Sequence, residues 1–242
     1  KRGYDVTVYE ASDHLGGQIV LAAAPPRKDE IMRSVEYYEK ILPGLGVKVD
    51  LNHAATAEDL NAADAAIVAV GAHDVVIPVP GADSDKVVSS WDVLAGKAEL
   101  AGCVAVIGGG LVGTETAEYL LQNGCEVAIV EMLDKIAAGE SETILPLIMN
   151  DFAAHNVEQH VKTRLTAITD EGVEAVRTTE DGAEEPVKIA CDYVVMAVGS
   201  KANGFDLDGV TVPVTCVGDC SGERTADIAS AIRTAYHAAN EL

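Results

Sequence analysis

The sequence is poor in aromatic and in basic residues. Phe, Trp and Tyr together make up 4% of its 242 residues, and 17 Lys and Arg stand against 39 Asp and Glu, a formal charge of −22. A surface that negative repels phosphate backbones and anionic headgroups, so neither a nucleic-acid partner nor a membrane is expected. No apolar run reaches membrane-spanning length, and no leader pattern opens the chain. The five cysteines (Cys103, Cys125, Cys191, Cys216, Cys220) are odd in number, scattered and without a C-x-x-C. That spacing argues against a disulfide framework, a zinc ribbon and dithiol exchange of the thioredoxin-reductase kind. Cys216 and Cys220, at C-x-x-x-C spacing, leave a redox pair or simple packing open. The six histidines show no metal spacing, so no metal is expected, and His73 is a loop residue or a ligand. No Ser/His/Asp or Cys/His nucleophile system is present. A reducing cytoplasm fits this cysteine usage.

What is present is a chain 48% hydrophobic with 22 glycines, its valine, alanine and isoleucine gathered in short runs. The composition favours an α/β protein over a bundle or a sandwich. An internal echo organises it. "GYDVTVYE" (Gly3 to Glu10) matches "GCEVAIVE" (Gly124 to Glu131), and "AIVAVG" ending at Gly71 matches "VVMAVG" ending at Gly199. Two similar lobes therefore follow one another in the same order.

The second lobe holds a complete βαβ unit. An apolar strand, Val104 to Ile107, leads into Gly108-x-Gly110-x-x-Gly113, a helix-periodic run Leu111 to Gln122, and a second strand ending on Glu131. Gly108 permits a tight turn, Gly110 leaves the backbone open to a pyrophosphate, and Gly113 lets helix and strand pack closely. The helix N-terminus points free N–H groups at the phosphates. Glu131 stands where an acid accepts hydrogen bonds from adenosine ribose hydroxyls, and no arginine follows it in "EMLDK" to neutralise a 2′-phosphate, which favours NAD(H). With lobe-two spacing, the first lobe's own glycine loop belongs ahead of Lys1, so the chain is expected to begin inside that lobe's first helix.

Along the rest of the chain, "RKDEIMRSVEYYEKIL" (Arg27 to Leu42) is a helix closed by Pro43-Gly44. "GVKVDL" and "DAAIVAVG" are strands, and the turn-rich Pro78 to Ser90 crosses between lobes. "WDVLAG" and the segment from Pro146 are helical. "VEQHVKTRLTAIT", "GVEAVRTT" and "PVKIACDYVVMAVG" are strands, with "EDGAEE" a solvated tip. "VTVPVTCVGD" is a strand ending at Gly218-Asp219, and Thr225 to Asn240 a closing helix. The expected fold class is α/β with two Rossmann-like dinucleotide-binding lobes, the second inserted in the first, and the first lacking its initial strand and glycine loop. Residues 1–80 and 200–242 form the incomplete lobe and 81–199 the whole one.

"YEASDHLGGQ", "AAAPPRKDEI", the paired "AVG" stretches, "GGGLVGTETA" and "VGDCSGERTADIASAIRTAYHAA" together resemble the C-terminal region of 2-enoate reductase and 2,4-dienoyl-CoA reductase. These are multidomain relatives of old yellow enzyme. The resemblance implies an NADH-dependent flavoprotein oxidoreductase that passes hydride from NADH to FAD and on to other redox centres. It implies that Glu10, Gly16, Gly17 and Asp219 contact FAD, with Glu10 on the adenosine ribose and Asp219 on a ribitol or phosphate oxygen, and Gly71, Gly199 and Gly218 are further cofactor-binding candidates. It also implies a closing helix whose N-terminus faces the flavin. Gly108, Gly110, Gly113 and Glu131 then serve NADH, with Glu115 near the nicotinamide. Family members carry an upstream barrel with FMN and a 4Fe-4S cluster as partner. Asp219 as a plain turn cap and Glu115 as a plain helix acid stay open, as does a lobe that merely holds ADP. The FAD site is expected to be incomplete.

Overall fold

The computed structural model describes residues 2–222 and 227–242. In chain order its elements are β1 (Thr7–Glu10), α1 (Gln18–Ala23), α2 (Met32–Gly44), β2 (Lys48–Leu51), α3 (Ala57–Asn61), β3 (Ala66–Val68), β4 (Ala72–Asp74), β5 (Val87–Ser89), α4 (Ser90–Leu94), β6 (Cys103–Ile107), α5 (Leu111–Gln122), β7 (Glu126–Val130), α6 (Leu145–Ala154), β8 (Glu158–His160), β9 (Thr163–Thr169), β10 (Gly172–Thr178), β11 (Glu184–Ala190), β12 (Tyr193–Met196), β13 (Ser200–Ala202), β14 (Val214–Cys216) and α7 (Ile228–Glu241). The chain divides into two compact units. Unit 1 comprises Lys1–Ala23, Lys28–His73 and Ser200–Leu242; unit 2 comprises Ala24–Arg27 and Asp74–Gly199. The first boundary falls between His73 and Asp74, not at the turn-rich stretch near residue 80. Ile77 and Val79 pack on a unit 2 core, and Ile168 donates its amide to the Pro80 carbonyl at 2.8 Å.

Unit 2 is a five-stranded parallel sheet in the order β5-β12-β6-β7-β8, with a three-stranded antiparallel sheet, β11-β10-β9, inserted between β8 and β12. Strands buried on both faces are continuous apolar runs, as in β6, where Val104, Ala105 and Val106 are buried. One face packs on α5 and α6 through Ala117, Leu120, Ile148 and Phe152. The other meets the antiparallel sheet through Leu165, Ile168, Val173 and Ile189. Fully burying a side chain such as Phe152 or Ile148 stabilises by about 1.5–3 kcal/mol each.

Unit 1 carries parallel pairs β1-β2 and β14-β3. Its registers reproduce those of unit 2. Thr7 opposes Lys48 as Ala128 opposes Glu158, and Ala66 opposes Val214 as Val194 opposes Val87.

Several expected boundaries move. The helix expected to close at Pro43 includes Pro43 and Gly44. Proline removes one amide bond, and in a last turn the amides of Leu45 (to Ile41 and Leu42) and Gly46 (to Pro43) complete the ending. The run from Val157 to Thr169 is two strands in two sheets, broken at Lys162, whose φ of 51° turns the chain. "PVKIACDYVVMAVG" likewise divides into β11 and β12. The strand expected to reach Gly218-Asp219 stops at Cys216, and Gly218–Ser221 is a 3-10 turn. The closing helix starts at Ile228 behind an Asp227 cap, and Thr225 lies outside the described residues. Among the described residues no helix is long and apolar enough to cross a membrane.

Lys86 joins the two sheets of unit 2: its ammonium donates to the carbonyls of Thr169 (3.1 Å), Asp170 (3.1 Å) and Cys191 (2.9 Å). Lys86→Met removes these charge-assisted bonds, of which that to Cys191 is part-buried, and lowers unfolding free energy by about 1–3 kcal/mol. Lys188→Met, which removes an exposed pair with Glu174, changes it by about 1 kcal/mol or less. Urea unfolding of both variants checks the contrast.

Candidate dinucleotide site

The turn between β6 and α5 is built from glycines with three different reasons to be glycine. A Cβ on Gly108 (φ 100°) lies 2.3 Å from the Ala197 carbonyl oxygen, and one on Gly113 lies 1.9 Å from the Gly108 carbonyl oxygen. Neither position admits alanine without moving backbone. A Cβ on Gly110 meets nothing within 4 Å. Packing therefore does not require glycine at 110; an open approach to the main chain is what glycine provides there. Gly110 caps α5 without a side chain, and the first helical amide bond runs from Thr114 to the Gly110 carbonyl at 2.9 Å. The amides of Leu111, Val112 and Gly113 precede that bond at the positive end of the helix.

Glu131 follows β7 and is buried. Its Oε2 accepts from the Gly109 amide at 2.6 Å and its Oε1 from the Leu133 amide at 2.7 Å. An ionised carboxylate has about four acceptor sites, so capacity remains for ribose hydroxyls. Gly109, the unassigned "x" of the motif, is as constrained as its neighbours. A Cβ there comes within 2.6 Å of Ile136 Cγ2 and 3.1 Å of Glu131 Cβ. The run "GGG" carries that signal, but the spacing rule ignores its middle member.

Unit 1 repeats the acid. Glu10 Oε1 accepts from the Ser12 amide at 2.8 Å, the counterpart of Leu133 on Glu131, and from the Ser12 hydroxyl at 2.8 Å. His53 donates its amide to the Glu10 carbonyl at 2.9 Å, as Thr163 does to the Glu131 carbonyl at 2.8 Å. The His53 ring lies 4.6 Å from that of Tyr9 and bridges Asp50 (3.0 Å) and Asp59 (3.1 Å). The Asp59 bond, with help from Asp50, raises the imidazole above its ordinary value against some desolvation. Asp59, bonded first by Thr56 and then by His53, is held down to about 2. Gly16 (φ 114°) fits under Val35 and Val20, while Gly17 (φ 49°) faces open space. Gly71 (φ 66°) lies against Gln18 Nε2, which donates to Asp219 Oδ2 at 3.4 Å. The structure thus brings Gln18, Gly71 and Asp219 together. Gly218 (φ 64°) donates its amide to Thr234 Oγ1 at 2.9 Å, tying the turn to α7. Asp227 caps α7 by accepting from Ser230, which places a carboxylate at that helix N-terminus. In unit 2, Gly199 (φ 109°) ends the second "AVG" and accepts from Val75 at 3.1 Å.

Glu115 is half-buried on α5. One turn on is a group that motif spacing missed: Glu118, 4% exposed, paired with Arg27, which also reaches Asp151 at 3.1 Å. Burial pushes the Glu118 carboxyl up more than Arg27 pulls it down, while the same pair raises Arg27. Nothing in the pattern of α5 distinguishes Glu118, because its partner lies 91 residues away. The Cys220 thiol is buried against the carbonyls of Val68 (3.2 Å) and Val217 (3.1 Å), and all five cysteines are free. No cluster of three His, Cys, Asp or Glu suited to a metal occurs among the described residues.

A family described as pyridine nucleotide-disulphide oxidoreductase matches residues 1–235. The chain is 42% identical to bilirubin reductase of Mediterraneibacter gnavus (strain CC55_001C), over 100% of the chain and 37% of that protein. It is 37% identical to NADH oxidase of Thermoanaerobacter brockii, over 86% of the chain and 32% of that protein. A solved 2-naphthoyl-CoA reductase in complex with 2-naphthoyl-CoA superposes with a TM-score of 0.87 at 31% identity, covering 97% of this chain and 36% of that one. The chain therefore spans 32% to 37% of the length of these curated relatives.

Arg27→Met leaves the buried Glu118 unpaired and costs about 3–5 kcal/mol at neutral pH. The loss shrinks as pH falls, because a carboxyl raised by burial accepts its proton earlier and becomes neutral in place. Denaturation of the variant at neutral pH and near pH 5 reads this. A deficit independent of pH contradicts the assignment. Imidazole NMR is expected to show His53 titrating above its ordinary value near 6.5.

Proposed function

The chain belongs to the pyridine nucleotide-disulphide oxidoreductase family, and from that premise we propose that it is the dinucleotide-handling part of an NADH:flavin oxidoreductase of the 2-enoate reductase and 2,4-dienoyl-CoA reductase type. The observation that carries the reading is the β6–α5 turn, where Gly108 and Gly113 are closed by packing and Gly110 is open. The amides of Leu111 to Gly113 hold the NADH pyrophosphate there. Glu131, fixed by two main-chain donors, receives the adenosine ribose hydroxyls, and its fixed charge disfavours a 2′-phosphate. Gly199, beyond the end of β12, and Glu115 are the further proposed NADH contacts, Glu115 at the nicotinamide.

In unit 1, Glu10 takes the FAD ribose, Gly16 and Gly17 lie along the dinucleotide, and Asp219, positioned by Gln18 and by the tie from Gly218 to Thr234, takes a ribitol or phosphate oxygen. Gly71 leaves room at the end of β3. The residues present fit the ribose side of FAD, with Gly16 and Gly17 between β1 and α1 and Gly71 after β3. The bound coenzymes supply the hydride exchange, and the protein supplies orientation and electrostatics. The greater length of the relatives supports a further domain in the full-length proteins, for which the resemblance suggests a barrel with FMN and a 4Fe-4S cluster, and their reductase and NADH oxidase names support a reduced nicotinamide donor.

Calorimetric titration with NADH, NADPH and ADP tests the reading. NADH binds more tightly than ADP, and NADPH at least about tenfold more weakly than NADH. Gly110→Ala lowers NADH affinity by about tenfold or more while changing stability by about 1 kcal/mol or less. Equal affinity for ADP and NADH assigns the site to a structural nucleotide, and no binding of either rejects it.

A further inference from the structure

We propose that Ala137 is a positioning residue for the β6–α5 turn: its main-chain amide holds the Gly109 carbonyl and thereby aims the Gly110 N–H at the phosphate side. The loop between β7 and α6 touches the turn at one place. Met132 to Lys135 are exposed, Ile136 and Ala137 are buried, and Ala138 and Gly139 are exposed again. Where the loop dips, Ile136 joins the core that packs on α5 and α6. It also lies against Gly109, so close that a Cβ there would stand 2.6 Å from Ile136 Cγ2. The next residue donates its amide to the Gly109 carbonyl at 2.7 Å, and its own carbonyl accepts from Glu140 at 3.1 Å. Ile136 is the anchor and Ala137 the donor.

The backbone of Ala137 is unfavourable taken alone. Its φ of 52° lies in the left-handed region, where the Cβ of an L-residue crowds the following carbonyl oxygen. Among the described non-glycine residues at positive φ, Ala137 alone lacks a polar side chain, so no side-chain hydrogen bond of its own offsets the strain. Such a conformation persists where the surroundings over-determine it. Here the anchor at Ile136 and the bonds to Gly109 and Glu140 do so, and the result is the direction of one amide.

That amide completes a grip on Gly109. The Gly109 N–H donates to Glu131 Oε2 at 2.6 Å and its carbonyl accepts from Ala137, so the peptide groups on both sides of Gly109 are held. A trans peptide points its carbonyl and its N–H in opposite directions. A Gly109 carbonyl turned to Ala137 therefore turns the Gly110 N–H away from it. One peptide further on, Thr114 holds the Gly110 carbonyl through its amide and its Oγ1, both at 2.9 Å, which orients the Leu111 N–H in the same manner. Two successive donors are thus set before an anion arrives, at the glycine where approach is open. Glu131 fixes the peptide before Gly109 and Ala137 the one after it, and Ala137 acts only through Gly109. The inference rests on the reading of this turn as a pyrophosphate site.

The test separates the N–H of residue 137 from its side chain, and the phosphates from adenosine. Ala137→Pro deletes the donor. Lactic acid placed at position 137 by chemical ligation deletes the same N–H while keeping the methyl group, and replaces the proline variant if that one does not fold. Ala137→Gly keeps the donor and adopts positive φ freely. Affinities for ADP and for adenosine are read by amide NMR. Loss of the donor is expected to weaken ADP by about tenfold or more and adenosine by less than about twofold. Ala137→Gly is expected to keep ADP affinity within about twofold. Unchanged ADP affinity without the donor overturns the proposal, as does an equal loss for ADP and adenosine, which marks general damage to the turn. A loss in Ala137→Gly equal to that in the donor-deleted proteins assigns the effect to the side chain and also overturns it. If the unsubstituted chain binds neither ADP nor NADH, the pyrophosphate reading itself fails and the positioning role falls with it.

Discussion

Glu131 caught between the amides of Gly109 and Leu133 is the interaction on which the proposed site in unit 2 depends. A buried carboxylate is costly unless its oxygens are bonded, and two main-chain donors at 2.6 and 2.7 Å meet that demand. The same bonds fix the glycine turn to the end of β7. The turn is then held from three sides: by Glu131 and Ile136 on Gly109, by the Ala197 carbonyl on Gly108, and by the close seating of Gly113. Only Gly110 is left open. A preformed row of amides at the start of α5 follows, and preorganised donors bind an anion without the cost of ordering them.

Repetition gives unit 1 the same chemistry around a different set of neighbours. Glu10 takes the Ser12 amide, His53 supports the Glu10 carbonyl, and the His53 ring links the end of β2 to the capping box of α3 through Asp59. The His53 amide bonds the Glu10 carbonyl as that of Thr163 bonds the Glu131 carbonyl, while the His53 ring bonds Asp50 and Asp59. The His53 contribution is greatest below the ordinary imidazole value and fades as pH rises through the raised one. The two acids thus share a geometry, each with its main-chain carbonyl bonded by a backbone amide of the following segment.

Elements whose cause is local were legible in the sequence. Helix α5 spans Leu111–Gln122, as its periodicity requires, because turn, cap and apolar face lie within one short stretch. Glu10 at the end of β1 and Glu131 just after β7 were visible through the repeat. What escaped depends on distant neighbours. The Glu118–Arg27 pair joins residues 91 apart, the split at Lys162 exists because its amide bonds the Leu133 carbonyl, and the boundary after His73 is set by the packing of Ile77 and Val79. Proline at position 43 misled for a related reason: its local effect removes one bond, and the following amides compensate. Glycine spacing identified Gly108, Gly110 and Gly113 but not Gly109, whose constraint comes from Ile136.

Amide NMR of the 15N-labelled chain titrated with NADH addresses the proposed phosphate turn most directly. The account predicts that the amides of Gly109 to Thr114, with Leu133 beside Glu131, show the largest shifts and saturate together. Shifts concentrated elsewhere in unit 2, with those amides unmoved at saturation, would contradict it.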